Sequence, residues 1–513
     1  MENMRKKLGP LFNSGQSFRP DISVDSCTSY KVTAGGTLHL LSNSCGEYNI
    51  NELGLQKRTS AGIDEYDTNE KTYQCASHEM CIFGVIGRGA SSVVQKAIHI
   101  PTHRILALKK INTFEKEKRH QLLNEIRTLC EAPHVKGLVE FHGAFYTPAS
   151  GQISIALEYM DGGSLRDLVQ SKKRIPEPIL SVITHEILHG LIFLHHVRHL
   201  VHRDIKPANL LINLNGEPKI TDFGISVGLE NTVAMCGTFV GTVTYMSPER
   251  IGNEYYSFPA DIWSLGLSIF ECGTGEFPYN ASKGPVNLML QVIDDPSPSP
   301  SRDCFSEEFC SFVDVCLQKD PTARPTAEQL LSHPFIKKYE NAGVDLSAYV
   351  QSIFDPIDRL KDLADMLTVH YYMLFDGTDD QWHHMKTMYR ENSAFSYANQ
   401  VAAGANDIFN TLSRIHSMLV GDSPDERLVH VVENLQCCVY GQHGVVIRVS
   451  GSFVLGGQFI PTGGGVQVEG VSQGPLLDIA SQRMGTFNEQ FIMEPGEQIG
   501  CYYIYKQELC IQQ

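Results

Sequence analysis

The chain has 513 residues, 42% hydrophobic and 19% charged, so it is long enough for about two or three domains with buried cores. Its formal net charge of −16 argues against a nucleic-acid surface and suits basic protein partners. The 14 cysteines form no C-x-x-C pair, which favours reduced thiols in a cytoplasmic or nuclear protein. No apolar run is long enough for a membrane span or a signal core, so we expect neither membrane insertion nor secretion.

Residues 1–80 are rich in Ser, Thr, Asn and Gly and have few periodic stretches, so we predict that they are largely flexible. From residue 83 to residue 335, strand patterns come first and helical patterns follow after residue 164. This order predicts a small β-rich lobe joined to a larger α-rich lobe. The turn sequence Asp161-Gly162-Gly163-Ser164 is the expected crossing between them.

A glycine-rich hairpin is predicted at residues 87–94, where Gly87 and Gly89 let the backbone lie close over nucleotide phosphates. Ser92 stands where the G-x-G-x-x-G pattern has its third glycine. Lys109 ends the next strand pattern, a position from which an ammonium can reach those phosphates. Its expected partner is Glu125 on the following helix, and movement of that helix would let the ion pair act as a switch.

The segment at residues 202–209, HRDIKPAN, is followed by Asp222-Phe223-Gly224 and has the residue types of a phosphoryl-transfer centre. Asp204 would accept the hydrogen bond of a substrate hydroxyl, and Lys206 could reach the transferring phosphate as a point charge. Asn209 and Asp222 are oxygen ligands of the kind that hold Mg²⁺. The alternative interpretation is a solvated polar loop.

The last third of the chain changes from helical to strand patterns. Asp355-Pro356 is a helix start signal, and two amphipathic helices follow. Their predicted apolar positions are Leu360, Leu363, Leu367, Tyr371, Leu374, Ile408, Leu412, Ile415 and Leu419. Strand patterns at residues 428–439, 445–454, 487–493 and 501–505 then predict a curved antiparallel sheet, and thus an α+β domain.

Residues 83–335 together resemble the eukaryotic protein kinases. The resemblance implies the bilobal kinase fold, use of ATP with Mg²⁺, and a hinge that binds adenine. The residues implied to be catalytic are Asp204, Lys206, Lys109 and Glu125, and those implied to hold the metal are Asn209 and Asp222. The residues implied to bind ATP are Ile86, Gly87, Gly89, Ala90, Ser91, Val94, Lys109, Glu158 and Met160.

Further segments resemble structural markers of the same family. Ser247-Pro248-Glu249 is similar to the A-P-E element, and Arg324 is the expected partner of Glu249. Asp261 begins a helix that, by resemblance, anchors the catalytic loop.

Residues 160–165 and 239–250 narrow the resemblance to MAP kinase kinases. Thr232 and Thr238 have the longer phosphosite spacing of plant members, with Arg203 as the expected phosphate partner. The resemblance implies a dual-specificity kinase activated at both threonines by a MAP kinase kinase kinase. Its implied substrate is a MAP kinase, phosphorylated on Thr and Tyr of the activation loop.

The N-terminal triplet Arg5-Lys6-Lys7, followed by Leu8 and Leu11, resembles the docking peptides by which these enzymes bind their substrate kinase. An ordinary charged N-terminus is an equal alternative.

Residues 357–511 resemble the nuclear transport factor 2-like fold, a cone of bent sheet and helices, and residues 336–356 would be a linker. His416, His430 and His443 are expected at the surface or in the sheet. We therefore favour a module that binds an unidentified protein or dimerises over an enzyme. One plant group of MAP kinase kinases carries such a domain. The predicted fold class is α+β: a bilobal protein kinase followed by a cone-shaped α+β domain.

A kinase-fold scaffold whose C-terminal domain recruits transport or regulatory proteins is the competing interpretation. The complete set of catalytic residue types argues against it. A C-terminal domain that restrains the kinase remains a further alternative.

Overall fold

The computed structural model describes residues 27–33, 35–42, 46–58, 70–89, 92–112, 126, 129–130, 134–222, 243–252, 257–353, 356–420, 428–441, 444–455, 483–498 and 500–512. Three units follow one another along the chain: an N-terminal sheet, a bilobal region and a C-terminal sheet with helices.

The N-terminal sheet has five antiparallel strands in sequential order. They are β1 (Cys27–Val32), β2 (Leu38–Ser42), β3 (Gly46–Asn51), β4 (Gly54–Arg58) and β5 (Glu70–Gln74). The prediction that residues 1–80 are largely flexible is therefore wrong for these strands. Residues 1–26, which include the basic peptide, and residues 59–69 lie outside the described part of the chain.

Burial against the next unit explains why this polar segment folds. Ile50 and Leu55 are fully buried in the same apolar cluster as Leu129. The Tyr73 hydroxyl donates a hydrogen bond of 2.9 Å to the carbonyl oxygen of Cys130. The sheet thus gains its stability from burying one apolar face, which local composition does not reveal.

The first lobe is an antiparallel sheet of five strands in the order β6-β7-β8-β10-β9. The strands are β6 (Met80–Arg88), β7 (Ser92–His99), β8 (Arg104–Asn112), β9 (Phe141–Thr147) and β10 (Gln152–Glu158). Lys109 pairs with Val94 on one side and Ile155 on the other. The predicted order of a β-rich lobe before an α-rich lobe is confirmed.

The second lobe is mainly helical, with a small hairpin of β11 (Leu210–Ile212) and β12 (Pro218–Ile220). Its helices are α1 (Leu165–Lys172), α2 (Glu177–Ile192), α3 (Pro248–Ile251), α4 (Pro259–Thr274), α5 (Pro285–Asp294), α6 (Glu307–Cys316), α7 (Ala327–Leu331), α8 (Pro334–Tyr339) and α9 (Leu346–Gln351). Among the described residues, Glu177–Val197 forms a helical run long and apolar enough to cross a membrane. Most of its apolar residues are buried in the core of this lobe, whereas Val197 is exposed.

A buried ion pair joins two distant segments of the second lobe. Arg324 Nη1 and Nη2 lie 2.7 and 2.8 Å from the two carboxylate oxygens of Glu249. The Arg324 guanidinium also packs over the fully buried Trp263 ring, 5.1 Å from its centroid. Burial alone would raise the pKa of Glu249, but the bonds from Arg324 lower it. The predicted pairing of these two residues is confirmed.

The predicted linker at residues 336–356 contains helices. Helix α8 continues to Tyr339, and α9 covers Leu346–Gln351. Ile336, Leu346 and Val350 belong to the core of the second lobe. These apolar side chains dock the segment onto the lobe, so a free linker is wrong for this part of the chain.

The C-terminal unit packs α10 (Pro356–Phe375), α11 (Asp379–Trp382) and α12 (Ala405–Val420) with a six-stranded sheet. The strands, in the order β14-β13-β18-β17-β16-β15, are β13 (Tyr389–Tyr397), β14 (Gln400–Ala403), β15 (Leu428–Tyr440), β16 (Gly444–Leu455), β17 (Arg483–Pro495) and β18 (Tyr502–Gln512). Both predicted amphipathic helices are confirmed, and the four apolar positions of the second are buried.

Two features of this unit differ from the sequence prediction. The sheet is not wholly antiparallel, because β13 and β18 pair in parallel; the long chain between them supplies the crossover that such a pair requires. His430 lies in the sheet as expected but is buried, with Nδ1 2.7 Å from Asp376 Oδ1. His416 on α12 packs against Trp382 with the rings tilted by 42°, and His443 lies outside the described residues.

The C-terminal unit packs directly on the first lobe. Phe83 and Ile105 of the lobe share one buried cluster with the C-terminal helices and sheet. The amide of Ile105 donates a hydrogen bond of 3.0 Å to the carbonyl oxygen of Gly500. His103 Nδ1 lies 2.8 Å from His370 Nε2 across the same interface. Apolar burial, backbone pairing and side-chain bonds therefore join the two units.

Arg324→Ala should lower the free energy of unfolding of the second lobe by about 3–5 kcal/mol, because it leaves Glu249 buried without its counter-charge. Chemical denaturation at pH 7 measures the loss. The pair's contribution is present above the ordinary pKa of a glutamate and declines as pH falls through the lowered pKa of folded Glu249. Arg302→Ala, which removes two ion pairs of an exposed side chain, should have little effect; equal losses from both variants would contradict the assignment.

Truncation after residue 353 should lower the melting temperature of the first lobe, because it exposes the apolar face that carries Phe83, Ile98 and Ile105. Hydrogen exchange at the amides of β6, β7 and β8, followed in the truncated and full-length chains as the temperature rises, measures the change. An unchanged melting temperature would contradict a stabilising role for the interface.

Candidate active site

The catalytic-loop residues predicted from the sequence lie together. Lys206 Nζ is 2.7 Å from Asp204 Oδ2. The Asn209 side-chain amide donates to both the carbonyl oxygen and Oδ2 of Asp204, each at 2.8 Å. These contacts fix the Asp204 carboxylate while leaving it 34% exposed, so a substrate hydroxyl can reach it. Because Asn209 uses its nitrogen in both bonds, its amide oxygen is the atom suited to a metal.

A buried carboxylate at the start of α4 holds the loop in place. Asp261 accepts hydrogen bonds from the amides of His202 and Arg203 at 2.7 and 2.8 Å. His195 Nε2 lies 2.9 Å from the same carboxylate. Burial alone would raise the pKa of Asp261, but the contact with His195 and the other donors lowers it, so the carboxylate stays charged. The predicted anchoring of the catalytic loop by this helix is confirmed.

Two residues of the site have left-handed backbone conformations. Arg203 has φ 72° and Asp222 has φ 64°, values that cost about 1–3 kcal/mol each in residues other than glycine. The Arg203 amide is fixed by Asp261, and its carbonyl oxygen accepts a bond of 2.7 Å from Arg250 Nη1. The surrounding hydrogen bonds therefore maintain the strained turn immediately before Asp204.

Lys109 of the first lobe contacts Asp222, a candidate metal ligand of the second lobe. Lys109 Nζ, on a side chain only 4% exposed, lies 2.8 Å from Asp222 Oδ1. Burial alone would raise the pKa of Asp222, but the Lys109 ammonium more than offsets it and lowers that pKa. The contact brings a cation and a carboxylate to the cleft between the lobes, the arrangement that phosphate and Mg²⁺ binding need.

The glycine-rich hairpin is formed by the ends of β6 and β7. The Gly89 amide donates a bond of 2.8 Å to the Ser92 carbonyl oxygen, and Gly87 pairs with Val94. A Cβ on Gly89 would lie 2.9 Å from Ser92 Oγ, so a side chain there would require the Ser92 hydroxyl to rotate away. Val94 also pairs with Lys109, which brings the hairpin beside that lysine. The backbone of this hairpin can therefore lie close to the phosphates of a nucleoside triphosphate.

The segment between the lobes is held by an ion pair that the sequence analysis missed. Glu158, the last residue of β10, accepts bonds of 2.7 and 3.0 Å from Lys219 Nζ on β12. The Glu158 amide donates to the carbonyl oxygen of Glu140 at 2.9 Å. Met160 is buried beside it. The two paired charges stand 61 residues apart, and no local pattern connects them. The Glu158 side chain thus positions the hinge rather than facing a nucleotide.

Five of the predicted functional residues, Ala90, Ser91, Glu125, Thr232 and Thr238, lie outside the described part of the chain. The Lys109–Glu125 pair and the phosphorylation sites therefore stay predictions. Ile126, which follows Glu125, is fully buried in an apolar cluster that includes residues of the N-terminal sheet and of both lobes.

Comparison with known proteins agrees with this geometry. The protein kinase domain family matches residues 81–336. The chain is 65% identical over 513 residues to mitogen-activated protein kinase kinase 3 of Arabidopsis thaliana, a match that covers 100% of the chain and 99% of that relative.

Shorter matches are confined to about half of the chain. Mitogen-activated protein kinase kinase 2 of Arabidopsis thaliana is 42% identical over 302 residues, which cover 58% of the chain and 83% of the relative. Mitogen-activated protein kinase kinase SIPKK of Nicotiana tabacum is 44% identical over 286 residues, which cover 54% of the chain and 79% of that relative. The protein kinase family thus matches the part of the chain that holds this site, and one MAP kinase kinase matches the full chain. The protein therefore belongs to the mitogen-activated protein kinase kinases.

Proposed function

We propose that this dual-specificity MAP kinase kinase transfers the γ-phosphoryl group of ATP to a Thr and a Tyr in the activation loop of a MAP kinase. The observation that carries the proposal is the cluster of Asp204, Lys206 and Asn209 opposite the Lys109–Asp222 contact. The names of the relatives support the substrate class.

In this proposal, Asp204 accepts the hydrogen bond of the substrate hydroxyl and orients its oxygen for attack. Lys206, 2.7 Å from the same carboxylate, faces the transferring group as a point charge. Lys109 binds the nucleotide phosphates, and Glu125 pairs with Lys109 when the predicted helix that carries Glu125 moves towards the lysine. Catalysis then depends on position and charge rather than on covalent chemistry.

Asn209 and Asp222 would hold Mg²⁺. Their donor set of one amide oxygen and one carboxylate suits this cation, which takes few protein ligands and prefers oxygen. The bound ion neutralises charge on the phosphate oxygens. The Lys109 contact keeps Asp222 ionised and therefore able to act as a ligand.

ATP would lie under the glycine-rich hairpin, with its adenine against the backbone of the hinge. The proposed contacts are Ile86, Gly87, Gly89, Ala90, Ser91, Val94, Lys109, Glu158 and Met160. The backbone hydrogen bond between Gly89 and Ser92 and the register that joins Val94 to Lys109 support this placement.

Activation would follow phosphorylation of Thr232 and Thr238 by a MAP kinase kinase kinase. Each phosphate would add about −1.5 to −2 charges, and Arg203 beside Asp204 is the proposed partner. The support is the rigid backbone of Arg203, which Asp261 and Arg250 hold from both sides.

The C-terminal unit, we propose, is a nuclear transport factor 2-like module that binds a protein partner or a second copy. The support is a six-stranded sheet packed with helices, in which β13 and β14 precede α12 and the antiparallel strands β15 to β18 follow it. We further propose a cytoplasmic location with access to the nucleus. In the described part of the chain no disulfide joins any of the cysteines, which agrees with a reducing compartment.

Lys109→Met should reduce kcat towards a MAP kinase by at least about 100-fold, because it removes a preorganised positive charge at the phosphates. Radiolabel transfer from ATP measures the rate. Lys110→Met is the matched control, since side chains alternate along β8, and it should stay within about twofold. Equal rates for the wild type and Lys109→Met would refute the catalytic assignment.

Thr238→Ala should abolish activation by an upstream kinase and leave the low basal activity intact, because the loop loses the charge that orders it. Activity before and after incubation with an active MAP kinase kinase kinase gives the comparison. The control Thr322→Ala, at an exposed turn of the second lobe, should activate normally. Full activation of Thr238→Ala would remove this threonine from the switch without affecting the catalytic centre.

A further inference from the structure

An open cleft of about 690 Å³ lies beside the catalytic loop, between the ends of α1 and α4. Pro207 forms part of its wall and directly follows Lys206. A substrate segment that presents a hydroxyl to Asp204 therefore passes next to this cleft. Its charged lining consists of Arg166, Lys172, Lys173, Arg174, Glu271 and Glu276.

The basic corner at the end of α1 has a fixed backbone. Lys173 ends the helix with φ 68°. Gly275, at φ 84°, approaches so closely that a Cβ there would lie 2.2 Å from the Lys173 carbonyl oxygen. The Ile175 amide donates a bond of 2.8 Å to the Cys272 carbonyl oxygen. These contacts hold the segment Lys172-Lys173-Arg174 against α4. Its three cationic residues therefore line the same wall of the cleft.

Positive charge predominates in the cleft, with four cationic side chains against two carboxylates. Glu271 accepts a hydrogen bond of 2.5 Å from the Tyr245 hydroxyl, so one carboxylate is already engaged. A single exposed ion pair contributes little, whereas a dianion that contacts several cations at once is held more firmly. The local charge is thus opposite in sign to the chain's net charge of −16.

A dual-specificity kinase produces such a dianion in its own reaction. After the first transfer, the substrate loop carries a phosphate of about −1.5 to −2 charges close to the second acceptor. Resting on the proposed function, we propose that the cleft binds the phosphate of the singly phosphorylated MAP kinase activation loop while Asp204 receives the second hydroxyl. The cleft thereby favours completion of the double phosphorylation.

The test uses the full-length, upstream-activated protein with Lys172→Gln and Arg174→Gln combined. Lys173 stays unchanged because its left-handed backbone makes substitution there ambiguous. The substrates are an unphosphorylated MAP kinase and its two singly phosphorylated forms. KM should rise about tenfold for the form whose phosphate reaches the cleft, with kcat and the other two substrates within about twofold. The double variant Lys337→Gln with Lys338→Gln, also neighbouring exposed lysines on this lobe, should change none of them.

An equal rise in KM for all three substrates, or no rise for any, would overturn the proposal. The first result would indicate a general electrostatic effect or binding of the kinase's own phosphorylated loop. A substrate with Glu in place of the phosphorylated residue should not distinguish the variant from the wild type; if it does, a carboxylate suffices and the phosphate assignment fails. Wild-type protein that phosphorylates no MAP kinase would instead refute the proposed function.

Discussion

The buried Asp261 carboxylate is the interaction on which the site depends. It accepts hydrogen bonds from the amides of His202 and Arg203 and contacts His195. These three partners stabilise a charge that would otherwise be costly to bury. The bonds fix the backbone immediately before Asp204. A left-handed Arg203 persists only because its amide and carbonyl are both held. The geometry of the reactive loop is therefore set from inside α4, not by the loop itself.

A comparable constraint acts on the first lobe, which is covered from two directions. The N-terminal sheet shares a core with Leu129, and the C-terminal unit shares one with Phe83 and Ile105. Lys96 on β7 is ion-paired with Asp362, and Arg359 donates to the carbonyl oxygen of Asp161 beside the hinge. Both appended units therefore contact the lobe whose sheet carries Lys109.

The sequence predicts the chemistry better than the architecture. Asp204, Lys206 and Asn209 stand within one short segment, so their meeting follows from local chain geometry, and the Glu249–Arg324 pair follows from family resemblance. The N-terminal sheet was missed because its order depends on burial of Ile50 and Leu55 against a distant surface. The Glu158–Lys219 pair was missed for the same reason: its partners meet only through the tertiary fold.

The net charge of the chain and the charges beside the catalytic loop also differ in what they predict. The net charge of −16 describes attraction at long range, where it favours encounter with basic partners. Screening at physiological salt acts over about 8 Å, so a substrate group inside a cleft responds to the nearest side chains instead. Beside Pro207 these are mainly the cations at the end of α1. An acidic protein can therefore approach a basic substrate surface and still bind an anionic group next to its catalytic loop, because the two attractions act at different distances.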